Sequence, residues 1–237
     1  MCHKIADDAI FIADAHYGSY RENLLKLLYD IDSGSVATTQ LFLMGDIADL
    51  LFGGVDATYE LNRDFIALLE SIGSKIELVY LEGNHDFNLS KIFKNLTIYP
   101  RESQPVIYRY REHNIALAHG DLYGSRGYEI YTKLIRNRAI LKFLNTINNI
   151  FGNFIINNLL SSMQRKKHCQ KIEHFRDLIE KKLEFYDIKN IDILIEGHYH
   201  QGESFSVCGI EYINLDAFAC NESYFRVQLL LDKQKET

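Results

Sequence analysis

The protein has 237 residues, of which 47% are hydrophobic and 24% are charged, and its formal net charge is −6. This length suits one domain with an insertion and excludes two large domains, while the composition excludes wholesale disorder. The charge is unevenly distributed, because residues 121–189 carry 13 Lys and Arg against 7 Asp and Glu. A basic segment suited to an anionic ligand is therefore set in an acidic body suited to cations.

Short apolar strands alternate with helices through the first hundred residues. Apolar runs predict strands at 9–14, 40–45 and 76–81. Helical spacing of apolar residues predicts helices at 20–31 and 59–72. Strands that alternate with helices in this way imply a parallel sheet.

The chain after Pro100 changes to a pattern of consecutive strands. A hairpin is predicted from strands at 106–110 and 115–119. Four further strands are predicted near the C-terminus, at 191–196, 204–208, 211–215 and 224–231. The sheet structure is therefore expected to be mixed, within one domain that spans residues 1–237.

Residues 124–187 carry no strand pattern and are interpreted as a helical lid inserted into the domain. They predict two or three helices, broken near Gly152 and around Ser161–Ser162. An apolar stripe runs through 140–163, but six asparagines and one lysine interrupt it, which excludes a membrane-spanning helix. The stripe either packs on the domain or offers an apolar surface to a lipid-like ligand or a membrane.

Targeting signals and cysteines bear on the compartment. The first residues lack the basic, apolar and small-residue pattern of a signal peptide, so a cytoplasmic protein is expected. The four cysteines, which form no Cys-x-x-Cys pair, are Cys2, Cys169, Cys208 and Cys220. Such sparse use is typical of packed, reduced thiols, so thiols are expected rather than disulfides.

Carboxylate, amide and imidazole groups follow five of the predicted strands directly. The five motifs are Asp14-x-His16, Gly45-Asp46-x-x-Asp49, Gly83-Asn84-His85-Asp86, His119-Gly120-Asp121 and Gly197-His198-x-His200. Side chains at strand ends meet in the crevice at the carboxyl edge of a sheet. Ordinary turns also favour Gly, Asn and Asp, but they do not require histidine. The set therefore predicts a common site.

The donor types indicate a class of metal. Carboxylate, imidazole and amide oxygen without thiolate suit manganese, with iron or zinc as alternatives, and argue against a structural zinc site built from cysteines. Seven such donors are too many for one ion. Two ions about 3.5–4 Å apart that share a carboxylate would use them all and would promote hydrolysis of a phosphoester.

In this order, the five motifs resemble the signature of the calcineurin-like metallophosphoesterases over about the whole chain. The resemblance implies an α/β fold, a four-layer αββα sandwich with two mixed sheets face to face. It implies a first metal on Asp14, His16, Asp46 and His200. It implies a second metal on Asn84, His119 and His198, with Asp46 as the bridge between the two ions.

The same resemblance implies roles for groups beside the metal ligands. His85 resembles the family residue that stabilises the transition state and protonates the leaving oxygen, and Asp86 is counted with it as catalytic. Asp86 and Asp49 are expected to orient imidazoles by hydrogen bonding. Asp121 is expected to contact metal ligands without binding a metal itself. His85→Ala is accordingly predicted to keep both metals and lose much of the turnover.

The basic lid resembles that of the UDP-2,3-diacylglucosamine pyrophosphatases, which cleave a diphosphate between UMP and an acylated sugar phosphate in lipid A synthesis. Its cationic side chains are candidates for binding a sugar phosphate, and its apolar face is a candidate for binding acyl chains. The alternative is that the basic residues of 165–171 form a solvated helix face. The expected substrate contacts are Asn84, His85, Tyr128, Tyr131, Arg165, Lys167 and Lys171.

Two positions differ from the usual pattern of that branch, which has arginine at the place of His85 and glutamate at the place of Asp49. Another phosphomonoester or phosphodiester, such as a nucleotide, therefore stays open as the substrate. Nucleic acid is disfavoured, because the remainder of the chain is acidic and no stacking aromatic alternates with the basic residues. Peripheral contact of the lid with the inner membrane is a further expectation.

Overall fold

The computed structural model of the protein describes residues 3–18, 21–123, 125–165, 169–187 and 189–228. In these ranges the strands are β1 His3–Lys4, β2 Ile10–Ile12, β3 Gln40–Leu43, β4 Leu51–Phe52, β5 Glu77–Leu81, β6 Asp86–Phe87, β7 Thr97–Tyr99, β8 Val106–Tyr110, β9 His113–Ala118, β10 Ile193–Glu196, β11 Glu203–Val207, β12 Ile210–Asn214 and β13 Phe225–Arg226. The α-helices are α1 Asn23–Asp32, α2 Asp56–Leu61, α3 Arg63–Gly73, α4 Arg126–Arg136, α5 Arg138–Ile150, α6 Phe154–Met163, α7 Phe175–Leu183 and α8 Phe218–Asn221.

Two mixed sheets form the centre of the molecule. The first has the order β13-β2-β3-β5-β7, in which β2, β3, β5 and β7 are parallel, as the alternation of strands and helices predicted. The second has the order β1-β8-β9-β10-β12-β11 and contains the antiparallel hairpin β8–β9. The expected mixed α/β fold is confirmed.

Alternating side chains along the strands define the layers, because successive residues of a strand point to opposite faces. Phe11 and Phe42 lie in the layer between the two sheets, where their rings stack with centroids 4.6 Å apart. Their neighbours Ile10 and Leu41 point the other way and pack with apolar residues of α1 and α3. Full burial of such a side chain stabilises the fold by about 1.5–3 kcal/mol.

The segment interpreted as a lid divides into two parts by its packing. Helix α7 buries Phe175 and Ile179 against Leu194 and Tyr212 of the second sheet, so it forms the outer helical layer of the sandwich. Helices α5 and α6 instead bury Leu141 and Ile156 against the loops that follow β3 and β5. Helices α4 to α6 therefore stay as the predicted lid, whereas α7 packs with the core.

Several boundaries differ from those expected. The predicted helix at 59–72 is two helices, because Asn62 ends α2 and its side-chain amide donates to the carbonyl oxygens of Leu50 and Thr58. The break at Gly152 is confirmed between α5 and α6, and the break around Ser161–Ser162 is confirmed within one residue, because α6 ends at Met163. In the last turns of α6 the Ser161 hydroxyl donates to the carbonyl oxygen of Asn157.

Cys169 and Cys220 form a disulfide between the segment before α7 and helix α8. The expectation of reduced thiols is therefore wrong for this pair, whose 51-residue separation gave no spacing signal. Cys208 is free and exposed, and Cys2 lies outside the described residues.

Among the residues that the structure describes, no helix combines the length and apolar character that crossing a bilayer requires.

Candidate metal centre

The strand topology brings all five motifs to one edge of the sandwich. Strands β2, β3 and β5 run parallel, so the motifs that follow them emerge side by side. Strands β9 and β10 of the second sheet are parallel as well, and their motifs emerge at the facing edge. The loops are joined directly, since the backbone amide of His198 donates to both carboxylate oxygens of Asp14 at 3.0 and 2.8 Å.

Acidic and imidazole side chains gather in three groups, in each of which the possible ligand atoms lie within 4.8 Å of one another. The groups are Asp14 with His16 and His200, Asp46 with His119 and His198, and His16 with Asp46 and His85. Asp46 belongs to two of the groups and therefore links them. Asn84 joins the second group, because its Oδ1 lies 3.4 Å from Nε2 of His119.

Glycines in the motifs make room for these groups. A Cβ on Gly45 would overlap the His119 ring, and a Cβ on Gly83 would overlap the Asp46 carboxylate. A Cβ on Gly197 would likewise overlap the carboxylate of Asp14. The glycines are thus required for the close approach of backbone and ligand, a use for which only glycine serves.

Five of the predicted ligands have a left-handed backbone, with φ between 46° and 65°; they are Asp14, His16, Asp46, His198 and His200. Residues other than glycine rarely adopt this conformation, which costs of order 1–3 kcal/mol each. Such strain concentrates at functional sites, where the surrounding fold enforces it.

Hydrogen bonds fix the orientation of three imidazoles. His119 Nδ1 lies 2.9 Å from the carbonyl oxygen of Met44, and His85 Nδ1 lies 2.9 Å from that of Asp49. A carbonyl only accepts, so each Nδ1 carries the proton and each Nε2 is left for the centre. His16 Nδ1 lies 3.2 Å from the Asp49 carboxylate, which is the orienting contact expected of Asp49.

Asp86 is placed differently from the expectation that it orients an imidazole. Its Oδ1 accepts from the backbone amides of Asp46 and Gly83, and its Oδ2 accepts from the Ile47 amide and the Tyr80 hydroxyl. The carboxylate therefore ties the second motif to the third. This arrangement fixes the position of Asp46 rather than that of a histidine.

The pKa values of Asp46, His119 and His198 are shifted by burial and by their charged neighbours. Burial raises the pKa of Asp46, but the neighbouring His119 more than offsets this and holds that pKa well below 3.8. Burial lowers the pKa of His119, but the Asp46 carboxylate raises it to about 10. Burial, together with His119, lowers the pKa of His198 to about 4. Ionised carboxylates beside a neutral imidazole form a donor set that fits divalent cations.

The expected substrate residues separate into two sets. Asn84, His85, Tyr128 and Tyr131 line a cavity of about 310 Å³, here called the lid cavity. Its apolar wall is formed by Leu50, Phe87, Leu141, Leu144, Ile156 and Leu159, among others.

The basic residues predicted as substrate contacts are not among those that line the lid cavity. Arg165 is exposed and its Nε donates to the carbonyl oxygen of Ser161. Lys171 is also exposed and its ammonium donates to the carbonyl oxygen of Gln201. Lys167 lies outside the described residues. For Arg165 and Lys171, the reading as solvated residues fits better than contact with a ligand in this cavity.

Two buried arginines were missed by sequence reasoning. Arg101 pairs with Asp121 at 2.9 Å and with Glu129 of α4 at 2.6 Å. Arg136, at the end of α4, donates to the carbonyl oxygen of Gly83 at 2.6 Å and pairs with Glu82 at 3.3 Å. The first lid helix is thus held at both ends to loops of the metal centre. Charge counting alone does not distinguish buried arginines from exposed ones.

The model of the calcineurin-like phosphoesterase family matches residues 9–202, which include all seven predicted metal ligands. The chain belongs to this family. The resemblance carried by the five motifs is thereby confirmed. The distribution of ligands between two ions and the role of His85 stay predictions.

Two curated relatives of this calcineurin-like phosphoesterase are named UDP-2,3-diacylglucosamine hydrolase. The protein from Aromatoleum aromaticum is 30% identical over 139 residues, which cover 55% of each chain. The protein from Proteus mirabilis is 24% identical over 137 residues, which cover 55% of this chain and 56% of the relative. The chain therefore spans about half the length of the curated relatives it matches.

Among solved structures, an archaeal phosphodiesterase aligns with 94% of this chain and 94% of its own. The identity is 11% and the TM-score is 0.44, a level of similarity that carries no argument about activity. The function of this chain is therefore inferred from the residues of its site.

Proposed function

We propose that this phosphoesterase hydrolyses the diphosphate of UDP-2,3-diacylglucosamine to UMP and 2,3-diacylglucosamine 1-phosphate, with two divalent ions, manganese first among them. The observation that carries the proposal is the position of the lid cavity. This apolar cavity is lined at one end by Asn84 and His85, two residues of the metal centre. A phosphorus atom at the centre would thus have space for an apolar substituent beside it.

The metal ions, when bound, supply Lewis acidity and lower the pKa of water. The chain contributes the orientation of the groups around them. His85 is held by the Asp49 carbonyl, and its Nε2 points toward Asp46 Oδ2 at 4.0 Å. When Nε2 also carries a proton, the imidazolium would donate from that atom to a phosphoryl oxygen or protonate the leaving oxygen.

The lid cavity suits acyl chains because most of its wall is made of aliphatic and aromatic side chains, although Thr132, Arg136, Asn145 and Asn148 also line it. Leu141 and Ile156 pack with Leu50 and Phe87, so helices α5 and α6 and the motif loops share one apolar cluster. Burial of acyl methylenes in such a site gains about 0.8 kcal/mol per CH₂. A phosphoester without an acyl chain would obtain none of this binding energy.

The test compares three substrates with the manganese-loaded protein: UDP-2,3-diacylglucosamine, bis-p-nitrophenyl phosphate and p-nitrophenyl phosphate. The proposal predicts release of UMP from the first at a kcat/KM well above those of the small esters, because the acyl chains add binding energy. Turnover of the two small esters with none of the lipid would reject the substrate and leave a phosphoesterase of another compound.

A charge in the lid cavity should act on the lipid substrate selectively. Leu159 lines the cavity, so Leu159→Asp would bury an unpaired carboxylate where acyl chains are proposed to lie. We expect KM for UDP-2,3-diacylglucosamine to rise by about 10- to 100-fold, the scale of a poor fit in an apolar pocket. The control is Asn158→Asp, which introduces the same carboxylate at the exposed neighbouring position. Equal effects of the two variants would contradict the prediction.

We also propose that the lid contacts the membrane surface from which such a lipid would come. Helix α5, the turn that follows it and the start of α6 expose large apolar side chains, with Phe143, Ile150, Phe151 and Phe154 each 65–71% exposed. Arg138 and Lys142 of α5 are exposed as well, and cationic side chains beside apolar ones favour binding to anionic bilayers.

Vesicles of phosphatidylglycerol and phosphatidylethanolamine would test this contact. We expect salt-sensitive binding that falls at least about 10-fold in a Phe151→Asp, Phe154→Asp double variant, because each charge opposes insertion. Circular dichroism would verify folding, and the double variant Tyr29→Asp, Tyr224→Asp, which adds the same two charges at exposed aromatic positions outside α4 to α6, provides the control. Unchanged binding of the lid variant would contradict the proposal.

A further inference from the structure

A second pocket, of about 750 Å³, opens beside the metal centre. We call it the His198 pocket, after the predicted ligand that lines it together with Gly120, Asp121 and Tyr199. Tyr128 lines both this pocket and the lid cavity, so it forms part of the wall between them. The lid cavity meets the centre at Asn84 and His85, whereas the His198 pocket meets it at the second group of ligands.

Asp121, one of the residues that line this pocket, has an unpartnered carboxylate oxygen. The residue is only 3% exposed, and its Oδ2 accepts from Nε of Arg101 at 2.9 Å. Its Oδ1 is buried and has no hydrogen-bond partner among the described residues. A buried acceptor without a donor costs about 1–3 kcal/mol, which a ligand carrying hydroxyl groups would recover.

Two aromatic side chains stand at the rim of the same pocket. Tyr123 is 44% and Phe185 64% exposed, and their rings lie within 21° of parallel with centroids 6.1 Å apart. Flat, exposed aromatic faces of this kind stack on nucleobases, at about 1–3 kcal/mol per base. The exposed Lys181 also lines the pocket and adds a cation.

We propose that the His198 pocket binds the nucleoside monophosphate half of the substrate. The base stacks on Tyr123 and Phe185, a ribose hydroxyl donates to Asp121 Oδ1, and Lys181 attracts the phosphate. This inference deepens the proposed function and rests on it, because it assumes that one half of the substrate is a nucleotide.

The chemistry of the two pockets differs in the way that an amphiphilic diphosphate requires. The lid cavity offers a mainly aliphatic and aromatic wall, whereas the His198 pocket offers two carboxylates, two lysines and exposed aromatic faces. A substrate whose phosphorus lies at the metal centre would extend its acylated half into the first and its nucleoside half into the second. Specificity would then come from the Tyr128 wall, which keeps the two halves apart.

Calorimetry of UMP binding to the manganese-loaded protein tests the inference. Phe185→Ala and Tyr123→Ala are each expected to weaken UMP binding by about 10-fold, the effect of losing one stacking face. Tyr29→Ala removes a similarly exposed tyrosine of helix α1 and is the matched control, with unchanged affinity. Metal content of every variant is measured, so that damage to the centre is recognised.

The ribose contact has a sharper test. Wild-type protein should bind UMP more tightly than 2′,3′-dideoxy-UMP, and Asp121→Asn should reduce this difference several-fold while retaining both metals. UMP affinity that is equal in wild type and in both aromatic variants would overturn the inference.

UMP binding in the His198 pocket and hydrolysis of UDP-2,3-diacylglucosamine can each succeed or fail independently. UMP binding that depends on Phe185, in a protein that does not hydrolyse UDP-2,3-diacylglucosamine, supports the pocket and rejects the lipid substrate. Hydrolysis of that lipid with UMP binding indifferent to Phe185 and Tyr123 supports the substrate and rejects the pocket.

Discussion

Replacement of Asp46 by asparagine is expected to abolish turnover and to remove at least one of two bound metal ions. Asp46 belongs to two of the three ligand clusters, as His16 also does, so its loss weakens both clusters that contain it. Asparagine keeps the size of the side chain but removes the charge that both ions would share. We expect kcat/KM on bis-p-nitrophenyl phosphate to fall at least about 10²–10³-fold, the effect of removing one main electrostatic contribution.

Metal content by mass spectrometry decides how this result is interpreted. Asp30→Asn, on helix α1, makes the same chemical change away from the centre and should leave both metal content and rate unchanged. Two retained ions and a rate near that of wild type in Asp46→Asn would reject the bridging role.

Replacement of His85 by alanine should have an equally large kinetic effect with a different cause. We expect both metals to stay bound while kcat falls by about 10²–10⁴-fold, the contribution of a positioned general acid. The structure makes metal content an informative measurement, because His85 also falls within one of the clusters able to hold an ion.

His113→Ala provides the control for His85, since it removes a histidine from the surface of strand β9. An unchanged rate in His85→Ala would reject its catalytic role. Loss of one ion would instead make His85 a ligand, and the two-ion assignment would have to be redrawn around it.

The sequence was sufficient to predict the alternating strands and the meeting of the five motifs at their ends. Apolar runs such as 40–45 and 76–81 become parallel neighbours, and parallel neighbours bring their carboxyl ends together. The glycines of the motifs lie where backbone and ligand approach closely, because a Cβ on Gly83 would overlap the Asp46 carboxylate. Local pattern and topology agree at this edge of the fold, and prediction succeeds there.

Features that depend on long-range packing could not be predicted in this way. Asp86 lies beside a histidine in sequence but bonds to backbone amides and to Tyr80, a choice that only the packed loops determine. Arg136 belongs to a basic helix, yet it is buried against the third motif. The Cys169–Cys220 disulfide depends on the approach of two distant segments, which cysteine spacing does not report.

The left-handed backbone of five predicted ligand residues lowers the stability of the folded chain in exchange for the geometry of the metal centre. A side chain of ordinary size in that conformation costs about 1–2 kcal/mol that glycine would not. His198→Gly would thus relieve strain at φ 65° while deleting a donor, and the metal-free chain would gain thermal tolerance as it lost its centre. Selection for heat resistance alone would erode this site first, so a thermostable variant should be screened for metal content together with its melting temperature.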